Sequence, residues 1–265
     1  MKLSEIRVYP IKSLSGIFLD NAKIDKQGIE NDRLLMLVDD SGRFITQRKY
    51  PQLALINTQI NDHGVSLSAP YFPNLSINSS SFLFKKIPVT VWGDECSAFV
   101  ASTVVNEWFS KYLGSPVRLV KYDINEPRKI DPDYSNDGDI VSFADGFPLL
   151  VISQASLDDL NSRLDNSVSM THFRPNIVID GCDAYSEDQW KKIRIGDVEF
   201  DLVKKCSRCI LTTINPNTGV KDKNREPLET LSQYRKSGRD IFFGMNLIPK
   251  RVGFVNLLDK IEVIT

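Results

Sequence analysis

Two cysteines three positions apart, Cys206 and Cys209, sit in a basic frame of Lys204, Lys205 and Arg208. Such a pair can be half of a zinc site, a redox dithiol, or two packed thiols. A structural zinc ion needs four nitrogen or sulfur ligands. The chain offers only Cys96, Cys182, His63 and His172 besides these two, with no second Cys-x-x-Cys, so the ligand count argues against zinc. A redox dithiol should open a helix, whereas the residues after Cys206 run Ser-Arg-Cys-Ile-Leu-Thr-Thr-Ile and read as extended. In an extended segment positions 206 and 209 face opposite sides and cannot grip one ion together. Either one cysteine works alone or both are inert. The basic neighbours favour a thiolate, the form that binds metal.

Basic residues also fall in turn contexts: Lys12-Ser13 after Tyr9-Pro10, Arg33 after Asp32, and Arg174 in His-Phe-Arg-Pro-Asn. Each alone suits a solvated or structural charge. Together they would suit a phosphate, to which arginine offers a bidentate fork and lysine a point charge. Spacing alone does not show that they converge. His63 and His172 are too few and too isolated for a histidine-based centre. The linker pairs Asp131/Asp133 and Asp137/Asp139 read as solvating charge. No P-loop, Gly-x-Gly-x-x-Gly or Gly-x-Ser-x-Gly occurs.

These residues must be held by elements legible in the pattern. Short apolar runs in the first third, broken by turns such as Asp39-Asp40-Ser41-Gly42, predict a small β-barrel or sandwich. Phe99, Val104, Val105, Trp108, Phe109, Tyr112 and Leu113 approximate helical spacing, with Gly114 as C-cap. Residues 124–139 are polar, hold two prolines, and read as a long loop or linker. Beyond them lie a helix capped by Ser153 or Ser156 with a Leu157, Leu160 and Leu164 stripe, and strands at 175–181, 193–203 and 260–265. A short helix carries Pro227 in its first turn. This half reads as α+β.

The chain has 265 residues, enough for one large or two smaller domains with a proper core. Its net charge of −1 supplies no global field for nucleic acid or an anionic membrane, so any anion site must be local. No apolar leader or membrane-length run is visible, and four thiols in this context do not read as a disulfide framework. A cytoplasmic setting is expected.

The stretches VYPIKSLSG, NDRLLMLVD, PLLVISQASLDDLNSRL, FRPNIVIDGCDAYSEDQW, IRIGDVEF, CSRCILTTINPNTG and EPLETLSQYR, in this order, resemble the MOSC-domain proteins. The branch is that of the mitochondrial amidoxime-reducing components and bacterial YcbX-like proteins. The resemblance implies a mixed, mainly β (α+β) fold, with an N-terminal β-barrel domain over 1–120 and a MOSC β-barrel domain with flanking helices over 121–265. It implies a molybdenum cofactor, a pterin dithiolene with a terminal phosphate. Cys209 would be the single protein ligand and catalytic residue, and Cys206 a packed neighbour. Lys12, Ser13, Arg33, Asp145, Arg174, Asn176, Ser207, Arg208 and Asn246 would be the cofactor contacts. At Asp145 only backbone contact carries over, because Gly146 and Phe147 replace small hydroxylated residues; Asn246 replaces a tyrosine.

The activity implied is reduction of hydroxylamines, amidoximes and N-hydroxylated bases by oxygen-atom removal at molybdenum. A separate donor (ferredoxin, flavoprotein reductase or cytochrome) would bring electrons. No cysteine follows Cys209, so no iron–sulfur cluster is expected in this chain. The alternative is a carrier that passes on sulfur or cofactor through Cys209.

Overall fold

A computed structural model describes residues 1–264. The last position of the strand expected at 260–265 therefore lies outside the described residues. The fold is mainly β, with three α-helices among the described residues.

A nine-stranded sheet organises the molecule. Its order is Ile17–Leu19, Lys2–Val8, Ile177–Asp180, Leu149–Ser153, Asp240–Pro249, Val198–Ser207, Lys192–Ile195 and Ile261–Ile264, with Lys236–Ser237 paired to Asp240–Pro249. Among the described residues of this sheet, only Leu149–Ser153 and Ile177–Asp180 pair in parallel, and the helix Gln154–Asn161 lies in that crossover. The strand Leu149–Ser153 is buried throughout, because both sheet faces are covered. Leu149 and Val151 join one core with Ile6, Ile177, Phe200 and Leu247. Leu150 and Ile152 point the other way, into a core with Leu157, Leu160, Phe173 and Phe243. This two-residue alternation places neighbouring backbone positions on opposite sides of the sheet.

The N-terminal part builds a four-stranded sheet, in the order Leu35–Val38, Arg118–Tyr122, Asp94–Ala101, Phe82–Val91. It also builds a three-stranded one from Asn57–Asn61, Gly64–Ala69 and Phe72–Ile77. The chain does not divide its sheets at residue 120. Lys2–Val8 pairs with Ile177–Asp180, and Asn21–Asp25 pairs with Gly253–Asn256.

Four expectations need correction. Residues 94–101 form a strand, so Phe99 is not helical. The helix is Thr103–Leu113, burying Val105, Trp108, Phe109 and Leu113 and leaving Val104 outside. Gly114 does cap it, at φ +63°. Secondly, the second helix has the expected Ser153 cap, which accepts from the Ser156 amide, but it ends at Asn161, so Leu164 is not on its stripe and packs from beyond it. Thirdly, the linker is not simply solvated: Arg128 is buried in it, and Asp139 pairs with Lys250 at 2.7 Å. Fourthly, the segment after Cys209 is not extended. Val198–Ser207 ends before it, and Ile210–Thr213 forms a 3₁₀ turn. The threonines are stabilised there by local bonds, Thr212 Oγ1 to Cys209 O at 2.9 Å and Thr213 Oγ1 to Ile210 O at 2.8 Å.

Gly244 lies mid-strand at φ +82°, where a Cβ would fall 2.6 Å from Ile152 Cγ1 and 2.7 Å from Val151 O. Gly244→Ala is expected to cost about 2–4 kcal/mol from strain and overpacking. That lowers the thermal midpoint by about 5–15 °C. An unchanged midpoint would show that the strand accommodates the methyl.

Candidate functional site

Leaving the first strand, the chain turns through Tyr9-Pro10 and delivers Lys12 and Ser13 to a cleft between the N-terminal part and the large sheet. Three lining residues, Ser13, Arg33 and Arg174, have φ of +70°, +49° and +56°. Side chains rarely adopt this left-handed backbone, and its clustering marks a place where packing imposes position over local comfort.

Tyr9 explains part of that imposition. Its buried ring lies 4.4 Å from the Arg33 guanidinium carbon and 4.2 Å from that of Arg174. Two cations thus share one aromatic ring, an attraction that strengthens as water is excluded. Asp32, fully buried, accepts from the Tyr9 amide at 2.8 Å and from Arg33 Nη1 at 2.5 Å. Arg33 also donates to Asn176 Oδ1 at 2.9 Å and to the Arg174 carbonyl at 3.2 Å. The Asn176 side chain is engaged on both ends, donating to Arg7 O and accepting from the Leu150 amide, so it braces Arg33. Arg174 donates through Nη1 to Leu14 O at 2.6 Å, while its buried Nη2 has no partner among the described residues. Burial pushes the Arg174 pKa down to about 10, with Tyr9 opposing, and the side chain stays charged at neutral pH.

Lys12, buried, donates to Phe143 O at 2.7 Å and to Asp145 Oδ1 at 2.5 Å. Burial pushes its pKa down, and Asp145 offsets this only in part. The same carboxylate oxygen accepts from Trp92 Nε1 at 3.0 Å. Desolvation within the cleft raises the Asp145 carboxyl pKa, but the side chain is 71% exposed at the mouth, and Lys12, the Trp92 bond and Arg33 outweigh that effect and hold the group well below the usual carboxylate range. The segment carrying Asp145 is clamped from beneath by buried Arg128, which donates to Ser142 O at 2.5 Å, Ala144 O at 2.9 Å and Asp145 O at 3.3 Å. With Lys12 on Phe143 O, four successive carbonyls face cations.

On the opposite wall, Cys206 is the penultimate residue of the long strand and Cys209 caps the 3₁₀ turn. Because the strand stops at Ser207, both cysteines line the same cleft, correcting the opposite-face expectation. Nor is Cys206 only packed: its sulfur accepts from Arg208 Nη1 at 2.9 Å, and Arg208 Nη2 donates to Phe173 O at 2.7 Å. Arg208 Nε is buried without a partner among the described residues. Ser207 donates to Asp240 at 2.7 Å, and Asn246 donates to Lys204 O at 3.1 Å. Cys209 is exposed, and its sulfur has no hydrogen bond from the described residues.

The structure therefore brings together all ten residues singled out from the sequence: Lys12, Ser13, Arg33, Asp145, Arg174, Asn176, Ser207, Arg208, Cys209 and Asn246. The cleft holds about 880 Å³ including its open mouth. It is lined by Lys12, Arg33, Arg48, Arg174 and Arg208 against one carboxylate, Asp145, on a chain of nearly balanced charge. That field suits a multiply charged anion. The unpartnered nitrogens of Arg174 and Arg208 are donors awaiting an acceptor. No three His, Cys, Asp or Glu side chains gather into a metal site among the described residues, so Cys209 could be only one ligand of a metal whose others come with a ligand.

Tyr9, Asp32, Arg48, Trp92 and Arg128 escape the sequence reading. Tyr9 and Asp32 carry a faint signal as neighbours of Lys12 and Arg33. Arg128 carries none, sitting in a polar stretch without periodicity.

The chain matches the description "MOSC N-terminal beta barrel domain" over residues 1–116 and "MOSC domain" over residues 138–262. It is 35% identical to mitochondrial amidoxime-reducing component 1 of Homo sapiens, covering 99% of this chain and 82% of that protein. It is 36% identical to the Mus musculus protein of the same name, covering 88% and 71%. With mitochondrial amidoxime reducing component 2 of Bos taurus identity is 32%, covering 98% and 82%. Near full-length similarity at this level, over a cleft built from both parts of the chain, shows that the protein belongs to the MOSC-domain family that includes the mitochondrial amidoxime-reducing components.

Proposed function

We propose that this protein reduces N-hydroxylated compounds (hydroxylamines, amidoximes and N-hydroxylated bases) with a molybdenum cofactor held in the cleft. The observation that carries the reading is the convergence of five cations around a single unengaged thiol, Cys209. The names of the relatives, as amidoxime-reducing components, support the substrate class.

The donor set fits the cofactor. Lys12, Arg33 and Arg174 suit its phosphate, and Arg174 Nη2 supplies an unused donor. Ser13, Asn176 and Asn246 line the walls, with Ser207 and Arg208 beside the metal ligand. A dithiolene brings two soft sulfur donors, so one thiolate, Cys209, completes a soft set. When bound in its reduced form, the cofactor would take up the oxygen atom of an N–O bond and give two electrons to nitrogen, the separate donor restoring them. The protein's own work is to hold the anion and aim the thiol. Arg208, anchored on Cys206 and Phe173, fixes the approach to Cys209. Ionised Asp145 is an acceptor for a substrate N–H or O–H at the mouth. Electrons come from a separate ferredoxin, flavoprotein reductase or cytochrome, and the setting is cytoplasmic. Among the described residues no helix is long and apolar enough to cross a membrane.

Protein made in a host that synthesises the cofactor should contain stoichiometric molybdenum and reduce benzamidoxime with an artificial donor. Cys209→Ser should lose the metal and at least about 100-fold of the activity. Cys206→Ser should keep the metal, since its hydroxyl still accepts from Arg208. Full turnover by Cys209→Ser would overturn the reading. Metal-free wild-type protein bearing a sulfur adduct on Cys209 would establish the carrier instead.

Titration gives a second test. Asp145 is depressed in the folded state, so its pairing with Lys12 stabilises the fold above the ordinary carboxylate pKa and is lost as pH falls below about 4. Asp145→Asn should be less stable than wild type by a constant amount from about pH 5 to 8, the gap closing on acidification. A gap that widens towards acid, measured by urea unfolding, would contradict the pairing. For the metal-free protein, Arg174→Leu should weaken pyrophosphate binding about 10- to 100-fold by calorimetry. Unaltered binding would remove Arg174 from the anion site.

A further inference from the structure

The mouth of the cleft has a wall that the cofactor contacts do not use. It comes from the N-terminal part, at the tip of the hairpin formed by Phe82–Val91 and Asp94–Ala101. Trp92 sits at that tip with φ +57°, a conformation costly for so bulky a residue. It is 47% exposed, although burying an indole is favourable. The Arg48 guanidinium carbon lies 4.4 Å from the indole ring centroid, and Phe44 supports the indole at 5.2 Å. Arg48 has no carboxylate partner within ion-pair distance among the described residues; its side chain donates only to Thr46 Oγ1, at 3.3 Å. Both Arg48 and Trp92 line the cleft. Below them lies Asp145, whose Oδ1 is taken by Lys12 and Trp92 while Oδ2 accepts nothing from the described residues.

We infer that Trp92, stacked with Arg48 above the free Oδ2 of Asp145, selects planar N-hydroxylated substrates that carry an N–H or O–H at their edge. The inference rests on the reductase reading above and names the substrate class within it. A flat π system lies against the uncovered indole and the guanidinium plane, which stack on π faces without regard to ring identity. Its edge donor meets Asp145 Oδ2. An amidoxime on an aromatic ring and an N-hydroxylated nucleobase both have this shape. A small alkylhydroxylamine has the donor but no face. The strain at Trp92 is then the cost of holding the indole over the mouth, where a relaxed hairpin tip would turn it to solvent. Trp92 and Arg48 act as specificity-determining residues.

The test compares benzamidoxime with N-methylhydroxylamine on cofactor-loaded wild type, Trp92→Leu, Trp92→Phe and Arg48→Leu. For Trp92→Leu the ratio of the two kcat/KM values should fall about 10- to 100-fold, mainly through KM for benzamidoxime. Trp92→Phe, which keeps a flat ring and loses the bond to Asp145, should retain most of the ratio, and Arg48→Leu should fall between. Benzamidine binding to the metal-free protein, measured by calorimetry, should weaken in the same order. Equal losses on both substrates in Trp92→Leu would make the residue a structural staple for Asp145 and overturn the inference, as would an unchanged ratio. If wild type reduces neither compound, the reductase reading falls; Trp92-dependent benzamidine binding would still support the wall.

Discussion

Two guanidinium groups rest on one buried phenol ring, and the cleft depends on that arrangement. Arg33 and Arg174 would repel each other and lose hydration if left alone in a partly buried wall. Tyr9 gives both a π surface, and Asp32 supplies one buried countercharge. One negative charge for two cations leaves a surplus facing the cleft, to which Lys12, Arg48 and Arg208 add. The surplus is tolerable because Lys12, Arg33, Arg174 and Arg208 are tied to carbonyls, an amide oxygen or a sulfur, so a bound anion completes a set of donors already aimed. Electrostatic preorganisation of this kind keeps its strength in a cleft with little water.

The topology makes the arrangement possible. Tyr9, Lys12 and Asp32 come from the first part of the chain, and Arg174, Arg208 and Cys209 from the last, yet all of them line or brace one cleft. They meet because Lys2–Val8 is a strand of the same sheet as Ile177–Asp180, Leu149–Ser153 and Val198–Ser207. Rigid sheet edges then hold the turns that carry the charges. The N-terminal part delivers Trp92, from a hairpin turn, and Arg48, from a turn of its own, to the same cleft. Chemistry is thus placed by the large sheet, and the character of the mouth by the smaller ones.

Much of this was legible in the residues, and the gaps have physical causes. Strand runs such as Leu35–Val38 and Ile177–Asp180 show in their β-branched and apolar content, and Gly114 announces a helix end. Lys12, Arg33, Arg174 and Cys209 stand out by type, but nothing in their spacing says that a sheet will gather them. Phe99 misreads as helical because one aromatic at a compatible offset cannot distinguish a strand entering a helix from the helix itself. Cys206 and Cys209 do not alternate as strand positions because the chain leaves the strand after Ser207 and curls into a turn held by Thr212 and Thr213, a change of direction that β-branched composition hides. Arg128 is invisible because its role is to fill carbonyls that no local pattern connects to it.

The central claim is that Cys209 is the single protein ligand to a molybdenum ion in this cleft. Molybdenum K-edge absorption spectroscopy of the wild-type protein and Cys209→Ser tests it most directly. The wild type should show a shell of cysteine sulfur beyond the two dithiolene sulfurs, and whatever metal Cys209→Ser retains should lack it. An identical sulfur shell in the two proteins would contradict the assignment of Cys209.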